Sequence, residues 1–365
     1  MTEATNQLYS PRQLRFLFCE LILDGSPAVA LFEKFHDNLI ADYIDRGVEE
    51  SEDLLLSTIA TFIEERGKTM SDFGLPDPVR RISEAAIFRE HFGSRVGDLL
   101  AASQNLRNQM NLEQGRIYDL VKTKIDNKEP LFGFIDGQAG RGKTFLVDAI
   151  IKYVRGKEGI ALPCATTALA ASNYEGGTTA HSLFRVPVEE SNEQLLSTIL
   201  ENSERWKLLK EADIIVWDEF AMVNKAVFEC ADQLMKCIMK SREPFGGKVF
   251  IALGDFRQTA TVVGGGGKTA TVMASVRTLP IWEKFNIYKL TQRIRDAEDA
   301  EYSSFADSIG DGVAGNIVEI GLLPVTTSEE EAINFVYPEE VLSNPGECVK
   351  RSILCTLNKN VDHIN

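Results

Sequence analysis

Nowhere in the 365 residues does an uninterrupted apolar run approach the roughly 20 residues that a membrane-spanning helix needs. The opening segment MTEATNQLYSPRQLR lacks the basic-then-apolar pattern of a secretory signal. Six cysteines (Cys19, Cys164, Cys230, Cys237, Cys348 and Cys355) form no CxxC pair and the four histidines are scattered, so neither a disulfide nor a zinc framework is expected. These absences point to an intracellular chain with reduced thiols. Internal repeats are missing, and low complexity is confined to the glycine run at 264–267, which reads as a mobile loop. Lys and Arg are missing from 296–347, although that segment holds 13 of the 54 acidic residues. Elsewhere 41 acidic side chains face 39 basic ones, so the net charge of −15 belongs mainly to one stretch. A near-neutral remainder can carry a basic groove, and the global charge does not exclude a polyanionic partner.

What is present is ordinary for a globular chain, with 44% hydrophobic and 25% charged residues. The length suggests two or three domains at roughly 100–200 residues each. Residues 1–105 read as helices. Ser10-Pro11 and Ser26-Pro27 each place a capping hydroxyl before a proline at the first helical position, where the missing N–H costs nothing. Beyond the second pair, Leu31, Phe32, Phe35, Leu39 and Tyr43 recur at helical spacing and form one apolar stripe. The cluster GLPDP at 74–78 reads as a connector.

From 106 to 295 short apolar runs alternate with helical stretches, the pattern of a parallel sheet with crossover helices. Candidate strands are 131–135, 159–164, 213–217, 249–253 and 287–290. Residues 296–365 begin with the acidic stretch and end in SILCTLNKNVDHIN, read as a strand at 353–356 entering a helix.

The strongest local signal is Gly137-Gln138-Ala139-Gly140-Arg141-Gly142-Lys143-Thr144, the G-x-x-x-x-G-K-T phosphate loop. Its glycines let the backbone wrap closely and aim N–H groups inward, and the following helix adds the positive end of its dipole. LFGFI before it and FLVDAIIKYV after it supply the strand–loop–helix order. Lys143 would then reach the β- and γ-phosphates of a triphosphate, and the Thr144 hydroxyl would ligate Mg2+. A phosphate loop alone spans kinases, switches and motors. The run Ile214-Ile215-Val216-Trp217 narrows the class because it ends in Asp218-Glu219. At the carboxyl end of a parallel strand, Asp218 can hold Mg2+ and Glu219 can orient and deprotonate an attacking water. Hydrolysis is therefore the expected reaction. Gln258, after Gly254-Asp255-Phe256-Arg257, has both an amide donor and an acceptor for a γ-phosphate and its water. Arg293 and Arg295 in LTQRIR offer guanidinium groups for transition-state charge. Each of these last three is a surface residue on composition alone.

The ordered blocks GQAGRGKTFL, CATTALAA, GGTTAHSLFRVPV, IIVWDEFAM, FGGKVFIALGDFRQ, LTQRIR and ILCTLNKNVDHIN together resemble superfamily 1 DNA helicases of the petite-integration-frequency type, especially the helicase portions encoded by Helitron transposons. The resemblance runs from about Met110 to the end, and SPRQLRFLF to DFGLPDP resembles the helical region preceding the motor in transposon-type members. It implies an α/β fold with a RecA-like P-loop NTPase parallel sheet over 106–295, preceded by the helical region and followed at 296–365 by the incomplete start of a second RecA-like lobe. It gives Lys143, Thr144, Asp218, Glu219, Gln258 and Arg295 the roles argued above, with Gly137, Gly140 and Gly142 in the phosphate cradle. Gln114 would read the adenine edge, favouring ATP with Mg2+, although in isolation it is a polar residue near a helix start. Thr166, Thr167, His181 and Ser182 would lie along a single strand, where hydroxyls and helix-end N–H groups suit phosphate contact. His181 equally fits a structural role. The implied partners are single-stranded DNA or DNA junctions, with no membrane. The implied activity is 5′-to-3′ translocation in repair, recombination, telomere maintenance or transposition, in the nucleus. A phosphate-loop ATPase acting on protein or small molecules, or an inactive binding remnant, remain open readings of the same motifs.

Two features depart from the pattern. Thr259-Ala260-Thr261-Val262-Val263 stands where the family has a proline-containing continuation, which leaves the Gln258 loop less stiff. The family's later second-lobe blocks have no counterpart before Asn365, so the expectation is an amino-terminal fragment that hydrolyses slowly and unwinds little.

Overall fold

Local signals set the helical zone. In the computed structural model, which describes residues 1–6, 10–44, 47–64, 66–187, 195–258, 263, 267–294, 300–312, 325–355 and 358–364, a short α1 (Thr2–Asn6) precedes α2 (Pro11–Leu23). Ser10 accepts the Gln13 N–H while Gln13 reaches back to the Ser10 N–H, a reciprocal cap with Pro11 in the first turn. The second serine–proline pair behaves differently. Ser26 donates its N–H to Leu21 at the closing turn of α2, and α3 (Ala28–Ile40) starts one residue later than expected. Pro27 is itself the N-cap, its carbonyl accepting the Leu31 N–H. Phe32, Phe35, Leu39 and Tyr43 are buried as the stripe predicts, with Leu31 packed at the margin. They meet Phe18 and the Leu54, Leu55, Ile59 and Ile63 face of α4 (Val48–Glu64) in a core of their own.

Beyond the 74–78 connector, α5 (Glu84–Gly93) and α6 (Val96–Gln109) turn toward the sheet. Ser103 donates to the Ala149 carbonyl at 2.7 Å, and the buried Arg155 guanidinium lies 4.0 Å from the Phe92 ring. Helix α7 (Leu112–Asp126) leads into the sheet domain. There follow β1 (Leu131–Gly137), α8 (Lys143–Arg155), β2 (Ala161–Ala165), α9 (Ala168–Ala171), β3 (Thr178–Thr179), α10 (Ala180–Phe184), α11 (Glu204–Glu211), β4 (Ile214–Asp218), α12 (Lys225–Met239), β5 (Val249–Gly254), α13 (Lys268–Met273) and β6 (Asn286–Leu290). All six strands pair in parallel, in the order β3-β2-β4-β5-β1-β6. Five were legible as apolar runs; β3, two threonines long, carries no such signal.

Strands β2, β4 and β5 are buried along their whole length because helices cover both faces, which is why they read as continuous apolar runs. The pleat then sorts side chains by size. One face collects Phe132, Phe134, Trp217 and Phe250 with Phe228, Phe245 and Phe285, including stacked rings 3.8 Å apart for Phe132–Phe285. The other collects Ile135, Val216, Ile251 and Leu253 under Leu146, Ile150 and Val154 of α8. Strand β6, at the edge, exposes Ile287 and Lys289.

Two compact units divide the chain, Met1–Glu298 and Asp299–Asn365. The second, taken by itself, holds α14 (Ala300–Gly310), α15 (Glu329–Val336), α16 (Glu339–Leu342), α17 (Pro345–Cys348) and α18 (Asn358–Ile364). The strand expected at 353–356 does not form over 353–355, and Thr356 lies outside the described residues. A strand needs a ladder partner, and among the described residues of this unit none is offered. The expected helix after it is present as α18.

Candidate active site

The phosphate loop leaves β1 at Gly137 and enters α8 at Lys143, so it sits at the carboxyl end of a central strand. Gly140 and Gly142 have φ of +75° and +80°, backbone that L side chains rarely adopt. Gly142 caps α8. Lys143 folds over the loop and donates to the carbonyls of Gly137 (2.6 Å) and Gln138 (3.0 Å). Burial draws the Lys143 ammonium below its ordinary pKa, while the carboxylates of Asp255, Asp218 and Asp136 pull it back up. Thr144, the second residue of α8, is exposed.

The acidic couple ends β4. Burial raises the Asp218 carboxyl above its usual value, opposed by hydrogen bonds from the Tyr174 hydroxyl and the Glu219 N–H, each at 2.7 Å. Glu219 itself takes the left-handed conformation, φ +51°, a strain of roughly 1–3 kcal/mol that clusters at working sites. Its carboxylate accepts the Thr167 hydroxyl at 2.6 Å and its carbonyl accepts the Thr166 hydroxyl at 2.9 Å. Thr166 also accepts the Trp217 indole N–H at 3.2 Å and donates its own N–H to the Asp218 carbonyl. The two threonines read as strand-contact candidates are therefore wired directly to the acidic couple. Thr167 additionally caps α9. His181 and Ser182 open α10 after β3, which pairs with the end of β2 through Cys164–Thr178 and Ala165–Thr179. All four candidates thus occupy the same end of neighbouring strands. Burial lowers the His181 pKa.

Asp255, after β5, was quoted only as part of a motif, yet it is buried and accepts the Arg257 side chain at 3.0 Å and the Arg257 N–H at 3.0 Å. Asp136 approaches the same guanidinium at 4.0 Å. Exposed Gln258 lies just beyond, its N–H bonded to the Asp255 carbonyl. Gln114 is 1% exposed. Its amide oxygen accepts the Asn111 N–H at 3.2 Å and its nitrogen donates to the carbonyls of Arg141 (3.4 Å) and Gly142 (3.5 Å). It braces the phosphate loop from behind. Neighbouring Glu113, which carries no motif signal, accepts the Thr291 N–H at 2.8 Å and the Gln292 N–H at 3.3 Å, and so ties those two residues to α7. Arg295, residues 259–262 and Gly264, Gly265 and Gly266 lie outside the described residues; Gly267 begins α13 as its N-cap. Among the described residues no helix is long and apolar enough to cross a membrane.

The parallel sheet, glycine cradle, half-buried lysine and paired carboxylates define a RecA-like lobe of the phosphate-loop NTPase class. The chain belongs to the PIF1-like helicase family, whose model matches residues 109–320. It is 35% identical over 133 residues to the ATP-dependent DNA helicase PIF1 of Candida albicans, covering 36% of this chain and 14% of that one. It is 28% identical over 264 residues to the ATP-dependent DNA helicase Pif1 of a Psychrobacter species, covering 70% and 36%. The chain thus spans about a third or less of the length of these relatives. In fold it is similar to Bacteroides Pif1 solved with single-stranded DNA, with a TM-score of 0.51, 22% identity, and coverage of 70% of this chain and 55% of that one.

Proposed function

We propose that this chain binds and hydrolyses Mg-ATP as the motor lobe of a DNA helicase, coupling hydrolysis to movement along single-stranded DNA. The observation that carries the reading is the convergence of Lys143, Asp218 and Glu219 at one end of the sheet, although Asp218 lies 75 residues beyond Lys143 in sequence, within a chain of this family. The residues fit a magnesium ion. Asp218 offers a buried carboxylate with each oxygen committed to a single donor, Thr144 offers the hydroxyl of an exposed residue, and such hard oxygens suit a cation that keeps several waters. Bound there, the metal would neutralise charge on the β- and γ-phosphates. The loop N–H groups and Lys143 hold the phosphate tail, with Gly137, Gly140 and Gly142 giving the backbone its close approach. Glu219 orients and deprotonates the attacking water. Gln258 contacts the γ-phosphate and that water, and Arg295 neutralises transition-state charge. Gln114 would read the adenine edge, favouring ATP, a role taken from the family likeness. Thr166, Thr167, His181 and Ser182 form the contact line for a single strand. Movement with 5′-to-3′ polarity on single strands or junctions, a nuclear location and service in repair, recombination, telomere maintenance or transposition complete the reading by family likeness.

ATP hydrolysis measured with and without single-stranded DNA tests it, alongside Glu219→Gln. DNA should stimulate the parent, and the variant should lose roughly 10²–10⁴ in kcat while still binding nucleotide. Hydrolysis indifferent to DNA would instead identify an ATPase that does not act on nucleic acid.

A further inference from the structure

Tyr174 belongs to no motif, yet its hydroxyl reaches a carboxylate proposed to hold the metal. It sits in the turn between α9 and β3, where the Tyr174 N–H bonds the Ala171 carbonyl and the Gly177 N–H bonds the Tyr174 carbonyl. Its ring packs in the core beneath α8, and the residue is 3% exposed. Phenylalanine would satisfy that apolar position. A hydroxyl so deeply placed costs free energy unless it is partnered, and its partner here is the acidic couple. It donates to Asp218 Oδ2 at 2.7 Å. The other Asp218 oxygen accepts the Glu219 N–H, so the two donors together fix the plane of the carboxylate. Without the tyrosine hydroxyl only one donor would remain, and the carboxylate could rotate about its bond to Cβ.

We propose that Tyr174 is a positioning residue that orients Asp218 to receive the divalent cation accompanying the nucleotide. This rests on the Mg-nucleotide reading above. Groups that hydrogen-bond a metal ligand in this way contribute 10- to 100-fold to metal affinity in characterised sites. The turn that carries Tyr174 also links α9, capped by Thr167, to β3, so Asp218 is tied to the segment that contacts Glu219.

The test is Tyr174→Phe in the full chain, which keeps the ring in the core. Binding of a fluorescent ADP analogue is titrated in magnesium and in EDTA, Mn2+ binding to the ADP complex is followed by water proton relaxation, and thermal melts are run on both proteins. The expected result is a parent that binds ADP more tightly with magnesium, a variant whose magnesium advantage and Mn2+ affinity fall about tenfold or more, and unchanged affinity in EDTA. An undiminished magnesium advantage in the variant would overturn the proposal, as would an equal loss with and without metal, which marks a residue that merely supports the fold. A parent with no magnesium advantage would sink the underlying reading before the variant is considered.

Discussion

Replacing Gly142 with alanine tests whether the phosphate loop depends on its backbone geometry or only on its charged side chains. The residue sits at φ +80°, ψ +29°, where an L side chain costs roughly 1–2 kcal/mol. An added Cβ would lie 2.4 Å from Gln114 Nε2 and 3.0 Å from Ile294 Cδ1. The Ile294 end can swing away, since that side chain is exposed, but the Gln114 amide cannot easily do so. It is buried and holds the Asn111 N–H and two loop carbonyls, and displacing it forfeits a capping arrangement worth about 1 kcal/mol. The sum is roughly 2–3 kcal/mol, or about 4–12 °C in melting temperature at roughly 2–4 °C per kcal/mol. Differential scanning fluorimetry reads the shift, and titration with fluorescent nucleotide should show weakened binding. Gly267→Ala is the matched control, because its φ is −84° and a Cβ there meets nothing within 4 Å. A Gly142→Ala protein melting within about 1 °C of the parent, with unaltered nucleotide affinity, would refute the reasoning.

Two further outcomes follow from single side chains. Hydrogen bonds from Thr291 hold the Glu113 carboxyl below its usual range, so its contribution is present above the unfolded value near pH 4.3 and is lost as pH falls through the lower native value. Glu113→Gln should lose no more than about 1 kcal/mol at neutral pH, given solvent screening, and denaturant titrations should show the gap closing in acid; a gap independent of pH would disprove the link. Burial alone lowers the His181 pKa, so below about pH 6.5 the unfolded chain takes up the proton first and stability falls, while above that pH the residue is neutral in both states. His181→Gln should therefore melt closer to the parent, or above it, at pH 5.5 than at pH 7.5; the same offset at both values would rule this out.

Much of the site was legible because phosphate binding needs a contiguous backbone. A phosphate loop works through consecutive N–H groups, so the motif from Gly137 to Thr144 is written in adjacent letters. Asp218-Glu219 was legible for a related reason, since an apolar strand ending in acids can only present them at its carboxyl end. Tyr174 was not, because a tyrosine in a turn has no pattern until the fold brings its hydroxyl to Asp218. Nor was Glu113, whose partners lie 178 and 179 residues away. The strand expected at 353–356 failed on the same account, since apolar residues propose a strand but only a neighbour can pair with it.

Periodicity and motif spacing determined by themselves that the middle of this chain would be a parallel sheet carrying a phosphate loop and an acidic couple. Which strands are neighbours was decided only by the tertiary structure. Placing β5 between β1 and β4 sets Asp255 beside Lys143 together with Asp218, and pairing β2 with β4 brings Thr166 and Thr167 onto Glu219. The reason is physical: local sequence fixes which face of an element is apolar, whereas the order of strands depends on how helices and aromatic side chains fill the two faces at once, a balance among residues far apart in the chain.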